Sequence, residues 1–435
     1  MDFNPSPPTV MHIDLNSCFA TVEQQANPCL RGKPVAVAAY TTPRGCILAA
    51  SREAKQLGVK TGLRVAEGQK LCPELIVLPS DPDKYRFINR RLVELLGQYT
   101  PELEVKSIDE MVINLDCYIA KLLNCNNTTI QPASPAGRQY NNFPKNRISE
   151  MMINIGNEIK ERIKREIGEW LTVSIGIASN RYLAKLASGL HKPDGLDVIT
   201  RDNLVEVLNR LQLEDLCGIK KGYGRRLRAY GMQTAGDFYR ASVATLRAAF
   251  NSIVGLYWWQ RLHGWDSPLD EMAESDQKSF GQSYALCQPY LPTDPRLWQI
   301  LCQLSEKMGF RLRQEGYTAG GLHLACLFRD YTFWHRGQKQ PSALYANSDF
   351  YLSYRRLLSL VPVKPVRLLA ISCFRLCRDL YQQESCLEEE IRRRALTRAL
   401  DALTFRWGDL TVFPARMLAM ERRILDRISF GMVKK

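Results

Sequence analysis

The chain has 435 residues, 45% of them hydrophobic, enough for about three domains each with a buried core. Lys and Arg number 59 against 45 Asp and Glu, and the resulting charge of +14 points to a polyanionic partner. No uncharged apolar run of about 18 residues occurs, and Met1 to Pro8 has neither a basic segment nor an apolar h-region, so no membrane span and no export leader are expected. The 13 cysteines are scattered without any Cys-x-x-Cys, and are expected as buried thiols of a cytoplasmic protein rather than as disulfides.

Residues 1–9, with Pro5, Pro7 and Pro8, lead into a first strand from Val10 to Asp14. From Ser17 to Gln25 the pattern becomes helical, which leaves Asp14 at a strand end and projects Phe19 into the same site from one helical turn on. Residues 28–80 form a compact unit punctuated by Asn27-Pro28, Arg31-Gly32-Lys33-Pro34, Pro43-Arg44-Gly45 and Cys72-Pro73. Within it Ser51 to Lys60 begins a helix whose Arg52 and Lys55 share a face, either as phosphate contacts or as an ordinary basic surface. A helix over 84–100 places Phe87, Leu92, Leu95 and Leu96 on its apolar side.

The chemistry concentrates in the next hairpin, Glu104 to Leu115, where Asp109 and Glu110 interrupt an apolar, alternating run. An unpaired buried carboxylate is prohibitively costly, so these acids need a solvated turn or a cation. Asp14 delivers a third carboxylate from another strand, and the trio suggests a site for two divalent cations, which phosphoryl and nucleotidyl transfer hold about 3.5–4 Å apart.

Residues 117–150, rich in Asn and Pro, read as a surface loop. Ile148 to Ile167 is helical, Leu171 to Ile177 a buried strand, and Asn180 to Leu190 a helix stopped at His191-Lys192-Pro193-Asp194-Gly195. Short helices fill 201–267 around Leu216 to Gly224, with Trp258, Trp259 and Trp265 as packing residues. After a polar linker, Glu271 to Gln277, the pattern is strand (Ser279 to Cys287), helix (Pro295 to Gln314), strand (Gly321 to Phe328), helix (Ser348 to Leu360) and strand (Val366 to Leu376). A polar tether over 378–387 precedes a helix from Glu388 to Arg406 with Ile391, Leu396, Leu400 and Leu403 on one side.

Met11 to Glu23, GCILAASREAKQLG over 45–58, Ser107-Ile108-Asp109-Glu110 and VSIGIASNRYLAKLASGLHKPDG over 173–195 occur in the order and spacing of Y-family DNA polymerases. The chain resembles the bacterial polymerase IV type over roughly residues 10–410, with UmuC-like features at Gly45-Cys46 and Arg52 to Lys55. The resemblance implies an α/β (α+β) right hand. A ferredoxin-like palm takes 10–27 and 81–199, small fingers 28–80, and a helical thumb with a helix-hairpin-helix 200–270. A ferredoxin-like little finger takes 276–377, and a tether with a helical tail 378–435.

It also implies roles. Asp14 and Asp109 would bridge two Mg²⁺ ions, with Glu110 and the Leu15 backbone carbonyl as further ligands. Phe19 would be the steric gate against a 2′-hydroxyl, and Gly45 and Cys46 would leave room for the base pair. Ser17, Cys18, Arg52, Lys55 and Lys192 would meet the nucleotide. Gly218, Lys220 and Gly222 of the hairpin, with Lys278, Arg329, Arg336 and Lys339 of the little finger, would hold DNA phosphates. The sequence departs from the family where Arg52 and Lys55 replace Tyr and Arg, and where Gly-Ile-Lys replaces Gly-Ile-Gly at 218–220, with Gly222 and Gly224 as candidates to restore the turn.

The implied function is template-directed, low-fidelity translesion synthesis without proofreading, by a cytoplasmic, nucleoid-associated enzyme acting on primer-template DNA and dNTPs. Gln383-Glu384-Ser385-Cys386-Leu387 stands where relatives carry a sliding-clamp peptide, without its aromatic anchor. The rivals are a non-catalytic polymerase-like DNA-binding scaffold, and a palm-type nucleotide cyclase or two-metal nuclease.

Overall fold

The computed structural model describes residues 3–124, 145–268, 278–379 and 387–418. Two compact units divide the chain, one running to Ala273 and the other from Glu274. In the first, β1 (Val10–Leu15) runs into α1 (Cys18–Ala26), and a small sheet follows from β2 (Val35–Ala38), β3 (Ile47–Ala50) and β4 (Ile76–Pro79), with α2 (Arg52–Gln56) and α3 (Val65–Leu71) between them. Next come α4 (Pro82–Leu96), the hairpin β5 (Leu103–Val105) and β6 (Glu110–Asn114), α5 (Asp116–Asn124), α6 (Lys145–Glu166), β7 (Val173–Ala178), α7 (Arg181–Ala187) and β8 (Leu196–Val198). Helices α8 (Leu204–Asn209), α9 (Lys221–Ala229), α10 (Ala235–Arg240), α11 (Val243–Phe250) and α12 (Val254–Leu262) complete it.

The main sheet has the order β5-β6-β1-β7-β8, which is the ferredoxin-like order with β8 added at one edge. β1 lies between antiparallel β6 and β7 and alternates by period two. Met11, Ile13 and Leu15 face the core they share with α1, α4 and α6, each burial contributing about 1.5–3 kcal/mol. Val10, His12 and Asp14 take the opposite face, where Val10 joins Val112 and the α7 to α12 helices in a second core. All six residues of β7 are buried, as a strand covered on both faces must be.

Glycine makes the cover over that second face possible. A Cβ on Gly176 would stand 2.0 Å from the Ala184 carbonyl oxygen and 2.2 Å from the Ser188 nitrogen, so only glycine lets α7 approach β7 this closely.

The second unit has β9 (Ser279–Tyr290), α13 (Pro295–Gln314), β10 (Tyr317–Phe328), β11 (Phe333–Leu344), α14 (Asn347–Leu358), β12 (Val366–Arg378) and α15 (Glu388–Trp407). It shares the strand-helix-strand-strand-helix-strand connectivity of the first sheet, but its strands lie in the order β11-β10-β12-β9. α15 packs on this unit through Arg313–Asp401, Arg393–Asp349 and Arg394–Asp379 pairs.

Several expectations are corrected. The helix expected over 51–60 ends at Gln56, because the Leu57 and Gly58 amides close its last turn and Gly58 takes a left-handed φ of 87°. Phe87 is 55% exposed, and Tyr85 takes the inward position instead. Helices α5 and α6 begin and end the 117–150 stretch, of which 125–144 lies outside the described residues. Ile391, Leu396 and Leu403 of α15 are exposed, since its ion pairs rather than an apolar stripe fix its seat. Of the cysteines, Cys29, Cys46, Cys117, Cys217 and Cys377 are exposed rather than buried.

Candidate active site

The strand register builds the site. Asp14 stands directly opposite Glu110 across the β1–β6 ladder, and the Leu15 amide donates to the Asp109 carbonyl at 2.9 Å, so all three acids gather at one end of the sheet. Beyond Asp14 the chain turns sharply, with Ser17 at a φ of 51° and Cys18 opening α1.

Two clefts meet at these acids. One, of about 530 Å³, is lined by Asp14 to Cys18, Leu48, Ala49, Arg52, Lys55, Gln56, Thr61, Asp109, Lys192 and Pro193. The other, of about 770 Å³, is lined by His12, Thr61, Lys106, Ser107, Asp109, Glu110, Arg181, Lys185, Cys217, Gly218 and Arg261 among others. Both fall within the range of about 300–1,000 Å³ usual for ligand sites.

Charge is arranged around the carboxylates. Lys192 Nζ donates to Asp14 Oδ2 at 2.5 Å, and Lys185 Nζ to Glu110 Oε2 at 2.5 Å. Burial pushes the Asp109 carboxyl above the ordinary range, with Asp14 and Glu110 adding to the rise and a 2.5 Å hydrogen bond from Ser107 opposing it. Burial acts the same way on Glu110, but His12 and Lys185 outweigh it and hold its pKa down to about 2. Burial and the neighbouring Lys192 lower Lys55, against an opposing pull from Asp14. Burial, then Asp109 and Asp14, keep the Cys18 thiol protonated.

The donor set suits hard divalent cations: oxygen ligands at a point of concentrated negative charge. As the side chains stand, no three His, Cys, Asp or Glu among the described residues converge into a cage, and Lys192 and Lys185 engage two of the three acids.

Arg52, Lys55 and Lys192 line the cleft that holds Asp14, as expected. Phe19, expected to project into the site, is fully buried and stacks on Tyr85 with ring centroids 4.3 Å apart; Cys18 is the cleft-lining side chain at this turn. Gly45 is small because a Cβ would stand 1.8 Å from the Tyr40 carbonyl oxygen, and Leu48 and Ala49 supply the cleft surface. Gly218 turns the chain at a φ of 94°, whereas Gly222 and Gly224 lie inside α9 and make no turn; Lys220 caps that helix. Lys278, Arg329, Arg336 and Lys339 are exposed on the second unit. Trp258 and Trp259 are buried packing residues, but Trp265 is exposed.

Sequence reasoning missed Asn16, His12 and Lys185. Asn16 Nδ2 donates to Ser174 Oγ at 2.9 Å and its Oδ1 accepts from the Asp194 amide at 2.8 Å, which ties the Lys192 turn to the end of β1. His12 shares a sheet face with Asp14, and Lys185 lies on α7 four residues after Arg181, which lines the same cleft.

The impB/mucB/samB family matches residues 13–189, and its C-terminal domain matches 277–386. DNA polymerase IV of Moorella thermoacetica is 30% identical over 94% of this chain and 95% of its own. DNA polymerase IV 1 of Halalkalibacterium halodurans is 29% identical over 95% and 94%. Among solved structures, a Y-family DNA polymerase chimera of Dbh and Dpo4 superposes with a TM-score of 0.68 at 24% identity, covering 85% of this chain and 99% of that one. The insertion ternary complex of Dbh DNA polymerase gives 0.54 at 24% identity, over 84% and 98%. Among the described residues no helix is long and apolar enough to cross a membrane. The chain belongs to the Y family of DNA polymerases, with the bacterial DNA polymerase IV enzymes as its relatives.

Proposed function

We propose that this chain is a template-directed DNA polymerase that performs low-fidelity translesion synthesis by two-metal nucleotidyl transfer. The observation that carries the reading is the trio Asp14, Asp109 and Glu110 at the junction of two clefts, each edged by its own cations. A cleft with Lys55, Arg52 and Lys192 suits an incoming triphosphate, and one with Lys106, Arg181, Lys185 and Arg261 suits a primer end.

Asp14, Asp109, Glu110 and the Leu15 carbonyl would hold the Mg²⁺ ions. When bound, these ions supply acidification of the primer 3′-hydroxyl and charge neutralisation at the departing pyrophosphate. The residues contribute the rest. Lys192 leaves Asp14 for the triphosphate, and Lys55 adds a second charge in the same cleft. Phe19 would act through the turn it anchors: buried against Tyr85, it holds the neighbouring Cys18 at the cleft surface.

Primer-template DNA and dNTPs are the substrates in this reading. Gly218 and Lys220 hold the duplex from the first unit, and Lys278, Arg329, Arg336 and Lys339 from the second. Gln383 to Leu387 serves as a weak sliding-clamp peptide; residues 380–386 lie outside those described, and Leu387 is exposed. Primer extension with Mg²⁺ and four dNTPs tests the reading: extension past template lesions supports it, and DNA binding without any extension favours a scaffold.

A further inference from the structure

Two of the chain's five histidines meet on the sheet of the second unit. His323 of β10 and His335 of β11 lie on the face opposite the core side chains Leu322, Leu324 and Cys326. They are diagonal neighbours, because the register sets Gly337 opposite His323 and Ala325 opposite His335. A Cβ on Gly337 would already stand 3.7 Å from the His323 ring, so the missing side chain leaves the space through which the rings approach. Phe333, two residues back on the same strand, flanks the His335 ring with centroids 5.4 Å apart. His323 Nε2 and His335 Nδ1 lie 3.1 Å apart while the ring centroids are 5.2 Å apart, so these two nitrogens face each other.

Zn–N bonds of about 2.0–2.1 Å put two nitrogen ligands about 3.3–3.4 Å apart at a tetrahedral angle and about 2.9 Å apart at a right angle. The observed separation falls between the two. Neither outer nitrogen, His323 Nδ1 or His335 Nε2, has a protein partner among the described residues, so nothing in the protein fixes the ring protons. Burial, and then His335, lowers the pKa of His323, which keeps that ring neutral as a ligand must be. The surroundings select the ion. None of the strands β9 to β12 contains Asp or Glu, so a hard cation finds no carboxylate here, whereas imidazole suits Zn²⁺, Ni²⁺ and Cu²⁺.

We infer that His323 and His335 form a two-histidine site for a borderline divalent transition-metal ion, with water in the remaining positions. In the metal-free protein one ring donates its inner N–H to the other. On binding, that ring passes the proton through water to its outer nitrogen, so both rings stay neutral and both inner lone pairs meet the ion.

This inference is independent of the polymerase reading, and its test needs no DNA. The full chain is studied with Mg²⁺ in excess, to occupy carboxylates, and with Ni²⁺ as the probe. Equilibrium dialysis should show His335→Ala and His323→Ala binding Ni²⁺ at this site about tenfold or more weakly than the wild type, since losing a ligand costs no less than losing an outer partner of one. His335 is exposed, so its alanine variant should keep the metal-free melting temperature. A second measurement needs no variant: Ni²⁺ should suppress modification of both histidines by diethyl pyrocarbonate, read residue by residue by mass spectrometry. His191, a 78% exposed imidazole, should stay reactive. Equal Ni²⁺ affinity in wild type and variants overturns the site. So does a lack of protection at His323 and His335, or protection no greater than at His191.

Discussion

Lys192 hydrogen-bonds Asp14 in the cleft at 2.5 Å, so the cation proposed for the triphosphate sits on an acid proposed for the metal. In the proposed reaction the lysine would exchange one anion for another as substrate enters. Lys192→Ala should therefore raise KM for dNTP by about 10–100-fold, the range for a lost hydrogen bond to a charged group, with a smaller effect on kcat. Steady-state kinetics at saturating DNA check this, and an unchanged KM would remove Lys192 from the nucleotide site.

In the proposed reaction, affinity for DNA and turnover would draw on different residues. Asp109→Ala or Glu110→Ala should abolish primer extension while a gel shift with primer-template persists, because phosphate contacts carry the affinity and the acids carry the chemistry. Residual synthesis by Asp109→Ala at wild-type rate would contradict the assignment.

Phe19 has a packing role in the structure and a proposed role as steric gate, and a mutation must be chosen to separate them. Phe19→Ala removes a fully buried ring stacked on Tyr85 and should cost about 3–5 kcal/mol of stability. Phe19→Leu keeps most of the volume and should still relax the choice between dNTP and rNTP. Sugar discrimination measured on the leucine variant decides the matter; no change would leave Phe19 a core residue only.

Glu306 offers a pH test in the second unit. Burial raises its pKa above the ordinary carboxylate value, although Asn347, Arg313 and Arg416 oppose the rise. A raised folded pKa contributes stability that is present below the unfolded pKa and lost as pH rises through the folded one. Glu306→Gln should escape that loss, so its melting temperature should exceed the wild type's near neutral pH and the gap should shrink below about pH 4. A gap that grows on acidification would reverse the assignment.

Clamp stimulation provides the fifth check. Changing Gln383 and Leu387 to Ala should lower synthesis stimulated by a sliding clamp without altering clamp-free rates. Equal stimulation of both proteins would reject this peptide and point to Ile428-Ser429-Phe430, which also lies outside the described residues.

The parts of the fold legible in the sequence were those with a clear period. Val10 to Leu15 and Glu110 to Asn114 alternate, and α6 and α13 repeat their apolar positions by turns, so these elements stood where expected. Val35–Ala38 and Ile47–Ala50 are four-residue apolar runs that fit helix or strand equally, and the small sheet went unread. β11 was missed because most of its side chains are exposed, as suits an edge strand, and no buried face imposes a pattern. At the site, the acids announced themselves as charges in apolar strands. Lys185 and His12 did not, because their meeting at Glu110 depends on Gly176 admitting α7, a tertiary approach that no local pattern encodes.

The double pairing of β1 also limits how this gene can vary. With β6 on one side and β7 on the other, a residue inserted between Val10 and Asp14 would turn Asp14 toward the hydrophobic core and break register with both neighbours at once. Neither neighbour can slide to follow, since each is itself paired to a further strand. Single-codon insertions and deletions should therefore be purged from this six-residue strand even where substitutions at Val10 or Ile13 are tolerated.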